Sequence, residues 1–574
     1  MRLIVLASKL SVTNVSEEKK VERRRFLKYA GAGVVVVAAA AGAGYYYTMQ
    51  PAGPTATTTA ASATTTATSA ATTAIPTTPG RPIILAMSTE PMTLDPAVSY
   101  DPWSMSYAFQ SYEGLVGYQG ESTDIRPRLA TSWTRNEDAT SWTLNLRKGV
   151  KFHDGTSFNS EAVKRTFERL LSVNKGPVWM FTGIDHIETP DDFTASFVLT
   201  APDPMFLDKL ASPYGPVIIS PAAIDQAVKE DDPYGEKWFQ EHMVGTGPYK
   251  FVEWVHGQQI TVEKFDEYWR GWDGKHAENG IIKFVEEPST QRILLEKGDI
   301  DIATNLLDET LETIGKQPGV VVFEKKETLN IAYIILNCQK GATAKVKVRQ
   351  AISYAFDYDA ILNTVFLGHA TRQQGPLPTL QWGHDDTLPM YNRDVQKAKQ
   401  LLKEAGYAQG FKMEYAYWTG GGEWLRKIAE TFQSNMKEIG IDVTLEPMVL
   451  DPFLAMVSDP DPQKKSDAFS TDWFPDYAEP SDWLASFFMC GSVFLSPAYC
   501  NKEVDDALTK GMSALTREEA IAYYKKAQQT IVEEAPALFL GNRNFRVAFR
   551  ENLKGFVWNP VLSNLYYLYD MYKE

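Results

Sequence analysis

Cysteine is scarce in this sequence, with three among 574 residues, which excludes a disulfide-stapled small fold and a multi-cysteine zinc or iron–sulfur framework. Histidine is almost as rare. The seven stand at 153, 186, 242, 256, 276, 369 and 384, no two at helical ligand spacing, so neither a metal site nor a cofactor is expected. Missing too are the phosphate loop Gly-x-x-x-x-Gly-Lys, His-Glu-x-x-His, Gly-x-Ser-x-Gly and Cys-x-x-Cys. With no acid–nucleophile pair in a recognisable motif, an enzyme is not expected. A net charge of −15 and a pI near 5.2 exclude nucleic acid as a partner, because phosphate binding requires a basic surface.

Positive charge gathers at one end. Residues 1–80 carry +5 and residues 81–574 carry −20. Arg23-Arg24-Arg25-Phe26-Leu27-Lys28 precede an apolar stretch over 29–47, an arrangement that resembles a twin-arginine export signal. Cations on that side of an apolar run keep the amino terminus in the cytoplasm and send the body outward. About 19 apolar residues suffice for a membrane span, and length favours a retained anchor over a cleaved leader, although small-residue cleavage patterns exist at Ala39-Ala40-Ala41 and Ala41-Gly42-Ala43. Residues 48–80 are dominated by Thr, Ala and Pro and cannot bury a core; a stalk of this kind spans about 30 Å. The expected location is the extracytoplasmic face of a membrane, with 1–28 as the cytoplasmic head.

In the body, strand and helix signals intermix. Trp142–Leu146 and Phe193–Leu199 alternate as half-buried strands. Between them Asn159 or Ser160 caps a helix with Val163, Phe167, Leu170 and Leu171 on one face. Helical spacing over Asp394–Ala405 stops at Gly406; a second helix over Trp424–Ile439 stops at Gly440 and runs into the strand-like Ile441–Leu445. Repeated helix then strand indicates an α/β architecture. Gly245-Thr-Gly247 is read as a turn, because Pro248 and Lys250 break the dinucleotide-loop pattern. Cys490 and Cys500 enclose a Gly/Ser/Pro-containing stretch, and a bridge there contributes roughly 2 to 3 kcal/mol in an oxidising compartment; Cys338 is left as a small buried thiol.

Aromatics are plentiful, and one group of them stands apart. Trp473, Phe474, Tyr477 and Trp483 cluster with Asp472, Asp476, Glu479 and Asp482 around Pro475 and Pro480. Rings with fixed carboxylates suit a pocket for a polar organic ligand; composition alone equally allows a protein-contact surface.

A run of short motifs carries a resemblance spanning nearly all of 81–574: Thr93-Leu-Asp-Pro96, Tyr112-Glu-Gly-Leu-Val116, Leu129-Ala-Thr-Ser-Trp133, Leu146-Arg-Lys-Gly-Val-Lys-Phe-His-Asp-Gly155, Gly245-Thr-Gly-Pro-Tyr-Lys-Phe251, Gly298-Asp-Ile-Asp301 and Lys399-Gln-Leu-Leu-Lys-Glu-Ala-Gly-Tyr407. In this order they resemble the extracellular solute-binding proteins of ABC importers, family 5, of the oligopeptide/dipeptide-binding type. The resemblance implies an α/β fold of two lobes joined by a hinge, with an extra domain on the amino-terminal lobe. The first lobe is then expected over 81–124, 210–325 and 536–574, the extra domain over 125–209 and the second lobe over 326–535. It also implies a monomer that passes its ligand to permease and ATPase subunits.

Trp473-Phe-Pro-Asp476-Tyr-Ala-Glu-Pro480 matches the family stretch whose aspartate holds a peptide's amino terminus. The ligand-binding residues implied are Asp476 with Trp473, Phe474 and Tyr477, the segment Tyr112, Glu113, Gly114 and Leu115 opposite, and Trp418 and Trp424 flanking a glycine loop. Ser470-Thr471-Asp472 occupies the place where relatives present an arginine for the ligand's carboxyl end. Oligosaccharide binding is the alternative within the class; a secreted hydrolase and a structural protein on a stalk are the alternatives outside it.

Overall fold

The computed structural model describes residues 81–574. The basic head, the apolar segment 29–47 and the stalk 48–80 lie outside the described residues. Among the described residues no helix is long and apolar enough to cross a membrane.

Two mixed sheets form the frame. The first has seven strands in the order Val320–Lys325, Phe545–Arg550, Ile302–Ala303, Ile83–Met87, Asn279–Phe284, Gln259–Lys264, Tyr249–Val255. The second has six, in the order Ala370–Arg372, Ala537–Arg543, Ile331–Leu336, Ala468–Trp473, Phe411–Trp418, Ile441–Met448. One central strand in each sheet, Ile83–Met87 and Ile331–Leu336, is buried at every position because both its faces are covered. In Ile83–Met87, Ile83, Leu85 and Met87 face one buried cluster while Ile84 and Ala86 face another. In Ile331–Leu336, Ala332, Ile334 and Leu336 pack on the second lobe's helices, while Ile331, Tyr333 and Ile335 face the side turned to the extra domain.

The extra domain is a four-stranded antiparallel sheet, Ala130–Arg135, Ser141–Leu146, Thr194–Leu199, Ile184–Asp191, covered by the helix Ser160–Val173. Asn159 caps that helix by accepting from the Ala162 N–H, and Val163, Phe167 and Leu170 are buried; Leu171 is half-buried. A buried ion pair holds the domain to the first lobe. The two terminal guanidinium nitrogens of Arg169 bond Asp95, at 2.7 and 2.6 Å, and its Nε–H donates to the Tyr234 carbonyl. The Thr93-Leu-Asp-Pro96 motif thus has a mechanical reason. Gly245 and Gly247 owe their identity to close approach, since a Cβ at either would stand within 3 Å of Ser111 backbone atoms.

The chain crosses between the large sheets twice, over residues 326–330 and at Asn544. Ala537–Arg543 pairs with Ile331–Leu336 in the second sheet, so the chain returns to the first lobe at Asn544 and not at 536. One continuous extended segment serves both sheets, which is why no composition change marks the boundary. Asn542 ties the crossings together by donating to the Thr328 and Asn330 carbonyls at 2.7 and 2.6 Å. Around them lies a charge network: Arg546 bonds Asp308 and Glu312, Arg543 bonds Asp308, and His369 of the second lobe lies 2.8 Å from both Glu312 and Glu324 of the first. Cys490 and Cys500 are joined by a disulfide, with Asp505 accepting from the Cys490 N–H.

Replacing Asp95 with Ala leaves the Arg169 charge buried without its counter-ion, and should destabilise the protein by about 3 to 5 kcal/mol. Urea unfolding checks this; a midpoint within error of the parent would show the pair to be dispensable.

Candidate ligand site between the lobes

The second-lobe strand Ala468–Trp473 ends at Trp473, and the chain turns through Phe474-Pro475 before the helix Ser481–Phe488. Proline at 475 and 480 prevents either element from running through the turn, and the turn delivers Asp476 to the boundary between the lobes. Asp476 is 5% exposed. Its Oδ2 accepts a 2.7 Å hydrogen bond from the Tyr100 hydroxyl, on the loop of the first lobe that leads into the helix Pro102–Ser111. Among the described residues no cation pairs with it. Aromatic rings surround the contact: Tyr214 lies 5.2 Å and Trp179 6.4 Å from Tyr100, centre to centre, and Trp179 lies 6.4 Å from Tyr477. The Trp179 Nε1–H is buried without an acceptor. A further tie between the lobes is made by Tyr118, whose hydroxyl accepts from the Ala478 N–H.

Asp482 supports the turn from beneath. Its Oδ2 accepts from the Trp473 indole N–H and the Asp476 N–H, both at 3.0 Å, while Oδ1 is buried without a partner. Glu479 accepts from the Tyr524 hydroxyl at 2.6 Å and from the N–H and hydroxyl of Ser481. Loss of water raises the proton affinity of all three carboxyls. Burial pushes Asp476 up to about 7, with the Tyr100 bond opposing it. Burial and then the neighbouring Asp476 charge hold Asp482 well above the usual carboxylate range.

The structure brings Asp476 and Tyr477 together with three aromatics that the sequence reading missed: Tyr100, Trp179 and Tyr214. Their positions along the chain give no hint of convergence. Only the folding of the extra domain onto the first lobe, with the second lobe closed over both, assembles them. Phe474 is exposed at the rim, 37% accessible. Trp473 is half-buried, edge-on to Phe487 at 5.1 Å.

The opposite segment is directed differently from expectation. Tyr112 is fully buried in the first lobe's core, and Leu115 is buried too. The Glu113 carboxylate is engaged by Thr246, Tyr268 and Trp269 at 2.8 to 2.9 Å, so its hydrogen bonds go into its own lobe. Burial raises its pKa, and those three donors oppose the rise. Gly114 bridges Val217 and lines a cavity with Gly117, Tyr118, Arg128 and Leu210, to which Asp476 does not contribute. Trp418 closes its strand with its ring against Gly420 and Gly421, where a Cβ would stand 2.7 and 2.6 Å from it. Trp424 lies under the Arg543 guanidinium, 4.9 Å away, beside the hinge.

The arrangement is that of a binding protein with a cleft between two lobes. A family model described as bacterial extracellular solute-binding proteins, family 5 Middle, matches residues 124–494. The probable D,D-dipeptide-binding periplasmic protein of Escherichia coli is 30% identical over 498 residues, covering 86% of this chain and 94% of that protein. The glutathione-binding protein of Pectobacterium atrosepticum is 31% identical over 496 residues, covering 85% and 93%. Among solved structures, an ABC transporter-associated periplasmic binding protein from Helicobacter pylori, in complex with the peptide STSA, superposes with a TM-score of 0.74 at 27% identity, covering 86% of this chain and 98% of that one. The chain belongs to the family 5 bacterial extracellular solute-binding proteins.

Because folding raises the pKa of Asp482, this carboxyl stabilises the fold most below the ordinary carboxylate range, and that contribution is lost as pH rises toward its folded value. Asp482→Asn keeps the acceptor oxygen and removes the titration. Between pH 5 and 7 it should flatten the fall in stability by up to about 1.4 kcal/mol per pH unit. Parallel unfolding profiles for variant and parent, measured at several pH values, would show that Asp482 does not titrate with folding.

Proposed function

We propose that this protein is the extracytoplasmic receptor of an ABC importer, and that it captures peptides by their free amino terminus on Asp476 before passing them to the permease and its ATPase subunits. The observation that carries this reading is a carboxylate enclosed between two lobes with a neutral phenol as its one hydrogen-bond partner across the boundary. An ammonium supplies what the phenol does not, a full opposite charge and further donors. The relatives named for dipeptides and glutathione, and the neighbour holding a peptide, support the same ligand class. Lobe closure over the ligand shifts an open–closed equilibrium with no bond made or broken. In this proposal the apolar segment 29–47 holds the receptor to the membrane and the stalk 48–80 gives it reach.

The oligosaccharide alternative draws little support from the rings. Sugar stacking requires an open aromatic face, whereas Trp418 is covered by its own glycine loop, Trp424 by Arg543, and Trp473 packs on Phe487.

Asp476→Ala should weaken binding of a peptide with a free amino terminus by about 1.5 to 3 kcal/mol, and acetylating the peptide should weaken binding to the parent protein by a similar amount. Affinity should also rise with pH toward about 7 as Asp476 ionises, then fall above about 8 as the α-amine loses its proton. Calorimetric titration measures both effects. Affinity indifferent to the substitution, to acetylation and to pH would exclude the ammonium role.

A further inference from the structure

Four carboxyl groups act on one another across the lobe boundary, Asp208 on Glu479 and Glu479 and Asp476 on Asp482, and none has an ion-pair partner among the described residues, although Glu479 is met by three donors. Asp476, Glu479 and Asp482 come from the second lobe, with exposures of 5%, 3% and 0%. Asp208 comes from the helix Phe206–Leu210, on the other side of the boundary. It is half-buried, accepts no side-chain hydrogen bond, and is raised to about 7 by burial and then by the nearby Glu479 charge. Two cations act on the group without bonding it: Lys209, which bonds Asp203 at 2.6 Å and opposes the rise at Glu479, and exposed Arg517, which lies over the Trp382 ring at 5.1 Å and opposes the rise at Asp208. The other polar groups facing the carboxylates are mainly phenols, those of Tyr100, Tyr214, Tyr477 and Tyr524. Asp482 Oδ1 is fully buried with no hydrogen bond at all. Ser470, Thr471 and Asp472 stand where the family resemblance implies an arginine for the ligand's carboxyl end, and Asp472 accepts from Asn330 at 3.1 Å.

A cleft built this way is short of positive charge, and a buried carboxylate without a cation is costly. We infer that the natural ligand is net cationic: an amine-terminated peptide that carries a second basic group or a blocked carboxyl end. A second basic group, where the peptide carries one, compensates Asp208 while the terminal ammonium takes Asp476; a blocked carboxyl end only avoids adding a further negative charge. This rests on the reading of the cleft as a peptide site. It adds that zwitterionic and acidic peptides are discriminated against, through uncompensated charge and not through shape.

The test is calorimetric titration of the full chain with four peptides of one length: Ala-Lys-Ala amide, Ala-Ala-Ala amide, Ala-Ala-Ala and Ala-Glu-Ala. Affinity should fall by about tenfold for each unit of positive charge lost, the order of an interaction between charges several ångströms apart in a partly buried site. Titrating Ala-Lys-Ala amide at pH 6.5 in two buffers of different ionisation enthalpy should show proton release, because the ligand displaces protons from the carboxyls. Asp208→Asn should narrow the gap between Ala-Lys-Ala amide and Ala-Ala-Ala amide to about threefold or less. Equal affinity across the four peptides, or tightest binding of Ala-Glu-Ala, would overturn the charge preference and leave the peptide site standing. Binding of none of the four would remove the peptide site and this inference with it. Should the Asp208 variant fail to fold, the affinity order and proton release of the parent chain decide the matter.

Discussion

A carboxylate taken out of water needs a proton, a set of donors or a cation, and the interlobe region of this protein is organised around that requirement. Glu113 and Glu479 are satisfied by donors, three apiece, and serve as fixed struts. Asp95 is satisfied by Arg169 and fastens the extra domain. Asp476 is left with one phenolic hydrogen bond that spans the cleft. The same chemical group therefore appears as a strut, a fastener and, in the function proposed, a receptor, and its partners decide which.

The rest of the fold keeps that exception in place. Each large sheet is built on a strand buried on both faces, Ile83–Met87 in one and Ile331–Leu336 in the other, and the two crossings between the sheets are tied by Asn542 into one narrow connection. The charged network of Asp308, Glu312, Glu324, His369, Arg543 and Arg546 stands beside this connection and links the lobes directly. The contacts between the lobes near the hinge are thus separate from those around Asp476.

Local pattern carried much of the architecture. The helices Ser160–Val173, Val395–Glu404 and Glu423–Glu438 lie where apolar spacing and capping residues put them, with Gly406 and Gly440 at positive φ just past their ends. Asp476 was legible because its surroundings form one contiguous motif. Tyr100, Trp179, Tyr214 and Asp208 were not, since each reaches the cleft through contacts between lobes that no local pattern records. The same reason explains Glu113: its motif is visible, but the donors Thr246, Tyr268 and Trp269 that draw it inward lie more than a hundred residues away. The boundary at Asn544 was hidden by a strand that continues from one sheet into the other.

The most direct measurement is a crystal structure of the protein grown with Ala-Lys-Ala amide. The account predicts the peptide's ammonium nitrogen about 2.8 Å from an Asp476 carboxylate oxygen, the distance of a charge-assisted hydrogen bond, with the Tyr100 hydroxyl displaced from Asp476 or accepting from the same ammonium. A peptide bound with its amino terminus elsewhere, and the Tyr100–Asp476 bond unchanged, would contradict it.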